Sequence, residues 1–209
     1  MINIPAMTPE SVHKYLYEIG RRWKGQGMAI ELGSWLGATA AALGHGLKEA
    51  GYDMPFYCYD RWIANSEEVE KAKLQGMKIK TGQNLLPIFL ENVRPYYRDI
   101  RAFRGPITDQ LRWNGEPIEI CIFDAPKRNP TFAHAIRELS PCWIPGTTIL
   151  GLLDIYFYRE KGCKKREACM VQERFIKENK NSFSLLAQWP DQCDCAFFEY
   201  QGGNLTIPN

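Results

Sequence analysis

A chain of 209 residues with 26 lysines and arginines against 24 aspartates and glutamates carries a formal net charge of +2. That balance argues for neither nucleic acid nor a charged membrane surface, and no apolar run of about 18 residues offers a membrane span. Hydrophobic residues at 45% and charged residues at 24% are ordinary for a globular domain, and a chain this long buries roughly 70% of its unfolded surface without a staple.

The seven cysteines are an odd number, scattered from Cys58 to Cys195, which reads as reduced thiols of a cytoplasmic protein. Cys163, Cys169, Cys193 and Cys195 match no standard zinc spacing and have no histidine nearby, so zinc is not expected. The first ten residues lack the basic and apolar regions of a signal peptide.

In chain order, Thr8-Pro9-Glu10 opens a helix over about 9–22: Thr8 can cap, Pro9 suits the first turn, and Val12, Leu16 and Ile19 share a face. Met28 to Leu32 reads as a buried strand closed by Gly33, and the alanine-rich stretch 38–50 as a helix stopped by Gly51. A second strand, 56–59, ends at Asp60. Helices follow over 65–76 and 85–93, the latter stopped before Pro95. Strands over 100–103, 117–123 and 147–153 come next, the last two ending at Asp124 and Asp154, with a helix over 130–139 between them. A charged helix over 164–179 precedes strands 183–189 and 196–200, which a turn-rich loop through Pro190 and Asp191 separates.

Strands alternating with helices imply a doubly wound α/β fold: a mostly parallel sheet covered on both faces. The last two strands have no helix between them, so they form an antiparallel C-terminal hairpin, giving seven strands in a single domain spanning 1–209.

The segment Glu31-Leu32-Gly33-Ser34-Trp35-Leu36-Gly37-Ala38-Thr39 joins the first strand to a helix. Gly33 allows a tight turn, and Gly37 lets a ligand or a strand approach the backbone. The spacing is neither the dinucleotide fingerprint nor a P-loop, and a plain strand-to-helix turn stays open as a reading. Asp60, at a strand end, can accept both hydroxyls of a ribose. Asp124 and Asp154 end buried strands on the same sheet edge, where they can converge on Mg²⁺ or cap the turns that follow.

The segment 31–39 resembles motif I of class I S-adenosylmethionine-dependent methyltransferases, in the form found in the macrocin O-methyltransferase family, whose members methylate sugar hydroxyls. Pro145-Gly146 resembles that family's turn before strand five. The resemblance implies a Rossmann-like fold. It also implies S-adenosylmethionine held by Glu31, Gly33, Ser34, Trp35, Gly37, Asp60, Arg61 and Asp124, with Mg²⁺ on Asp124 and Asp154. The family often has a second acid after that last aspartate, where this chain has Ile155; it often has Gly-Asp after strand three, where Gly105-Pro106 stands here and Asp109 follows.

A sugar hydroxyl needs deprotonation as it attacks, so a metal, Asp124 or His134 is expected to serve, and Lys127 and Arg128 to hold a phosphate or carboxylate of the acceptor. The expected acceptor is a sugar, nucleotide sugar or glycan, with no nucleic acid or membrane partner and oligomerisation left open. The alternatives are methylation of a non-sugar small molecule and a non-catalytic nucleoside-binding domain; the glycine spacing disfavours a nicotinamide enzyme. The charged run Arg159, Glu160, Lys161, Lys164, Lys165, Arg166 and Glu167 reads as a solvated face, and Trp62, Trp113, Tyr156 and Tyr158 as mainly core residues.

Overall fold

Apolar runs become strands and alanine- and leucine-rich stretches become helices largely where the sequence places them. The computed structural model of the protein describes residues 2–159, 163, 165–189 and 192–208. Its elements are α1 (Glu10–Arg21), β1 (Met28–Leu32), α2 (Ala38–Glu49), β2 (Phe56–Asp60), α3 (Ser66–Leu74), α4 (Leu86–Val93), β3 (Ile100–Arg104) and α5 (Ile107–Gln110). They continue with β4 (Ile118–Phe123), α6 (Thr131–Leu139), β5 (Ile149–Leu152), α7 (Arg166–Cys169), α8 (Val171–Glu178), β6 (Phe183–Gln188) and β7 (Ala196–Tyr200). The expected Glu160, Lys161 and Lys164 of the charged run, and Pro190 and Asp191 of the last loop, lie outside the described residues.

The seven strands lie in the order β3-β2-β1-β4-β5-β7-β6. β4 pairs in parallel with β1 and β5, and β2 with β3, while β7 runs antiparallel to both β5 and β6. This is the expected doubly wound α/β sheet with an antiparallel C-terminal hairpin. Among the described residues, no helix is long and apolar enough to cross a membrane.

The chain divides into two compact units. One comprises Met1–Trp23 and Ser34–Pro106. Within it α1 crosses α2 at glycines: a Cβ on Gly20 would lie 2.5 Å from the Leu43 carbonyl oxygen, and one on Gly46 would strike that of Tyr17. Only hydrogen fits there, which brings the two backbones together and buries Val12, Leu16, Leu43 and Leu47. The cap expected from Thr8 does not form. Its hydroxyl pairs instead with His13 Nε2 at 2.8 Å, and Pro9 occupies the cap position with no side-chain cap bond. α3 starts on a reciprocal capping box, in which the Asn65 side chain accepts from the Glu68 amide and the Glu68 side chain from the Asn65 amide.

The other unit comprises Lys24–Gly33 and Ile107–Asn209. Its strands β1, β4 and β5 are buried on both faces, with Ile30, Leu32, Ile122, Phe123, Leu150 and Leu152 wholly or almost wholly hidden. The acid within β4, Glu119, is 3% exposed; its carboxylate accepts from the Lys24 and Gln26 amides and so ties down the segment leading into β1. The helix expected over 164–179 breaks into α7 and α8 at Met170. Its amide reaches Glu167 O, three residues back, at 3.3 Å, a 3₁₀ step that tightens the turn between them.

Candidate active site

In the first unit the turn after β1 is organised by one carboxylate. Asp60 Oδ2 accepts from the Ser34 and Trp35 amides, both at 2.9 Å, and Oδ1 from the Trp62 amide at 2.7 Å. Burial raises this carboxyl's pKa, and the three N–H donors offset only part of that shift. Two of those donors belong to residues in the left-handed region, Trp35 with φ 42° and Trp62 with φ 44°. Bulky side chains rarely adopt that backbone, and it persists only when its surroundings impose it. Here they do: the Trp62 indole N–H donates to Trp35 O at 3.0 Å, its ring packs on Phe89 with centroids 4.7 Å apart, and the Asn92 side chain donates to Leu36 O at 2.8 Å.

Three of the roughly four acceptor positions of a carboxylate are thus taken at Asp60. Asp60 shapes the turn, and its amide partners were not visible in a sequence that shows only an acid at a strand end. Gly37 has φ +94°, and a Cβ there would strike Val93 Cγ2 and come 3.0 Å from Phe89, so α4 fills the space a side chain would need. Arg61 pairs with Glu68 at 2.8 Å at the start of α3. Two polar atoms of the same turn are buried with no hydrogen-bond partner among the described residues: Ser34 Oγ, on a residue 3% exposed, and Trp35 Nε1.

In the second unit, Gly33 has φ +93°, and a Cβ on it would lie 2.5 Å from the Ala125 nitrogen. The Asp124 and Ala125 amides both donate to Leu32 O at 2.8 Å. The end of β1, including the fully buried Glu31, is thereby clamped against the chain leaving β4. Asp124 lies close enough to Asp154 for its charge to act on that carboxyl, and Asp154 Oδ2 is buried with no hydrogen-bond partner among the described residues. Burial drives the Asp154 pKa well above the carboxylate range; Lys127 opposes that shift and Asp124 reinforces it. Lys127 Nζ lies 2.7 Å from Asp154 Oδ1 and 4.7 Å from the centre of the Phe157 ring.

The expected Mg²⁺ site does not fit these groups. Among the described residues no three His, Cys, Asp or Glu side chains converge on one point, and the third partner of the acid pair is an ammonium. His134 sits on α6 with Nε2 3.1 Å from both Leu111 O and the Arg112 guanidinium. Arg128 turns to Cys169, its Nε 3.1 Å from the sulfur, while the Gln172 side chain holds Pro126 O at 3.1 Å. Cys163 and Cys169 are free thiols with sulfurs 3.4 Å apart. Of the four aromatics expected mainly in the core, Trp62 is buried, whereas Trp113, Tyr156 and Tyr158 stay partly exposed. Sequence reasoning missed Trp62, Asn92 and the Lys127–Asp154 pair; only the spacing of Lys127 behind Asp124 hinted at the last.

No protein-family model matches the chain, and no curated protein matches it in sequence. Solved structures do. The O-methyltransferase NovP superposes with a TM-score of 0.61 at 12% identity, over 91% of this chain and 79% of that one. Cofactor-bound Rv0187 from MTB gives 0.62 at 15%, over 96% and 84%. The apo structure of CalS11, a TDP-rhamnose 3′-O-methyltransferase of calicheamicin biosynthesis, gives 0.55 at 11%, over 91% and 78%. The chain has the fold of these class I methyltransferases.

Proposed function

We propose that the protein is an S-adenosylmethionine-dependent O-methyltransferase whose acceptor is a sugar, nucleotide-sugar or glycan hydroxyl. The observation that carries this reading is the turn after β1, held in a left-handed backbone by Asp60 with Ser34 Oγ and Trp35 Nε1 buried and unsatisfied. Leaving buried polar atoms unmatched costs about 1–3 kcal/mol each, and a polar ligand such as the methyl donor would satisfy them. The fold shared with NovP and CalS11 supports the class of reaction, and the CalS11 acceptor supports a sugar.

The bound donor supplies an already activated methyl group, so the protein's task is positioning and proton transfer. Ser34 and Trp35 hold donor polar atoms. Asp124, half-buried just past the end of β4, receives the proton of the acceptor hydroxyl. No step runs through a divalent metal. His134, engaged by Leu111 and Arg112, has no part in this scheme. Partly exposed Tyr156 and Tyr158, the first with the Arg159 guanidinium 4.1 Å from its ring centre, are suited to stack on a sugar face.

The test is to incubate the protein with the donor and a panel of nucleotide sugars, free sugars and phenols, and to measure S-adenosylhomocysteine released. Release with sugar hydroxyls supports the proposal. Release with phenols alone establishes the non-sugar alternative, and stabilisation by neither donor nor product leaves the binding-only alternative.

A further inference from the structure

We infer that Cys163 and Cys169 form a reversible dithiol–disulfide couple, closed by low-molecular-weight disulfides and opened by low-molecular-weight thiols. The inference is independent of the methyltransferase reading. Both thiols are free, and their sulfurs lie 3.4 Å apart. A disulfide needs sulfurs about 2 Å apart, so rotation of two side chains already in contact closes the bond.

The contact is built by one helical turn. The Cys169 amide donates to Lys165 O at 3.1 Å, which folds the end of α7 back over the chain that enters it, where Cys163 lies. Cys195, by contrast, turns its thiol to Leu153 O at 3.3 Å.

The two thiols have different surroundings, and these divide the chemistry between them. Cys163 is 8% exposed and Cys169 1%, so an oxidant meets Cys163 first. The inner sulfur has a guanidinium against it, with Arg128 Nε 3.1 Å from Cys169 Sγ. A cation there offsets the negative charge that this sulfur carries as it attacks or leaves.

In the first step Cys163 loses its proton, and its sulfur attacks one sulfur of the small disulfide. A mixed disulfide forms and one small thiolate leaves. The Cys169 sulfur, losing its proton, then attacks Cys163 Sγ; the internal S–S bond forms and the second small thiolate leaves. Two protein thiols are oxidised, one small disulfide is reduced to two thiols, and those thiols take up the two protons. Reduction runs the same steps backwards. Burial raises the Cys163 pKa, which slows the first step; the fraction closed at equilibrium is set by the poise of the small-thiol pool and not by that rate.

The experiment equilibrates the full chain in glutathione buffers from mostly reduced to mostly oxidised, blocks the remaining thiols, and maps disulfides by peptide mass spectrometry. The expected result is a Cys163–Cys169 crosslink that rises with the oxidised fraction and is lost on return to reduced glutathione. The closed form should melt about 5 °C higher, because the crosslink restricts the unfolded chain between 163 and 169, and Cys163→Ser should abolish that shift. Arg128→Ala should close about tenfold more slowly, with glutathione retained on Cys163. Absence of the crosslink in the wild type at the most oxidising poise, or oxidation confined to other cysteines, would overturn the inference whether or not the variants fold. Closure of Arg128→Ala at the wild-type rate would overturn the part assigned to Arg128.

Discussion

Asp60 and Asp154 are both acids at the ends of buried strands, and the protein neutralises them in opposite ways. Asp60 is satisfied by three backbone amides, whose positions are fixed by the chain itself. Asp154 is met by a side chain, Lys127, at Oδ1, while its Oδ2 is buried without a hydrogen-bond partner among the described residues. A carboxylate held by amides sets the shape of a turn and is hard to replace. One held by a side-chain ammonium can exchange partners, which suits a group placed where proton transfer is proposed.

The largest expected effect is on the frame beneath the acid pair. Gly33→Ala sets a Cβ against the Ala125 backbone at a residue with φ +93°, and should cost about 3 kcal/mol or more, read from denaturant unfolding. Asp60→Asn tests the amide-held acid. An amide side chain turns an N–H₂ toward backbone donors, so stability should fall by about 2 kcal/mol, and S-adenosylhomocysteine should bind about tenfold more weakly because the turn loosens.

The same change at Asp154 should behave differently. Its folded pKa is raised, so the folded state holds a proton that the unfolded chain releases near pH ~4. That contribution is fully present below about pH 4 and is lost as pH rises through the raised folded value. Melting temperature should therefore decline with rising pH in the wild type, and decline less in Asp154→Asn, which stays neutral throughout. Equal slopes would show that Asp154 is ionised in the folded protein. The smallest effect belongs to Arg61→Ala, which breaks a largely solvent-facing pair with Glu68 and should change stability by less than about 1 kcal/mol.

The sequence carried the strands and their order of covering helices because buried parallel strands are long apolar runs, and it carried the terminal hairpin because no helix fits between 189 and 196. It placed Asp60, Asp124 and Asp154 at strand ends for the same reason. What each acid does there was not legible, because hydrogen-bond partners are set by three-dimensional neighbours. Tryptophans at positive φ contradict local preference, so nothing in the sequence marked Trp35 and Trp62 as turn residues. The break at Met170 was hidden likewise: no glycine or proline marks it, and the ties that flank it, Arg128 to Cys169 and Gln172 to Pro126, come from a distant loop.

The central claim is that the turn held by Asp60 receives the methyl donor. Calorimetric titration of S-adenosylhomocysteine into the wild type, Asp60→Asn and Trp35→Phe tests it most directly. The account predicts one-site binding by the wild type, weakened about tenfold in each variant as the turn loosens or the indole N–H is lost. No binding by the wild type, or equal affinity in all three, would contradict it.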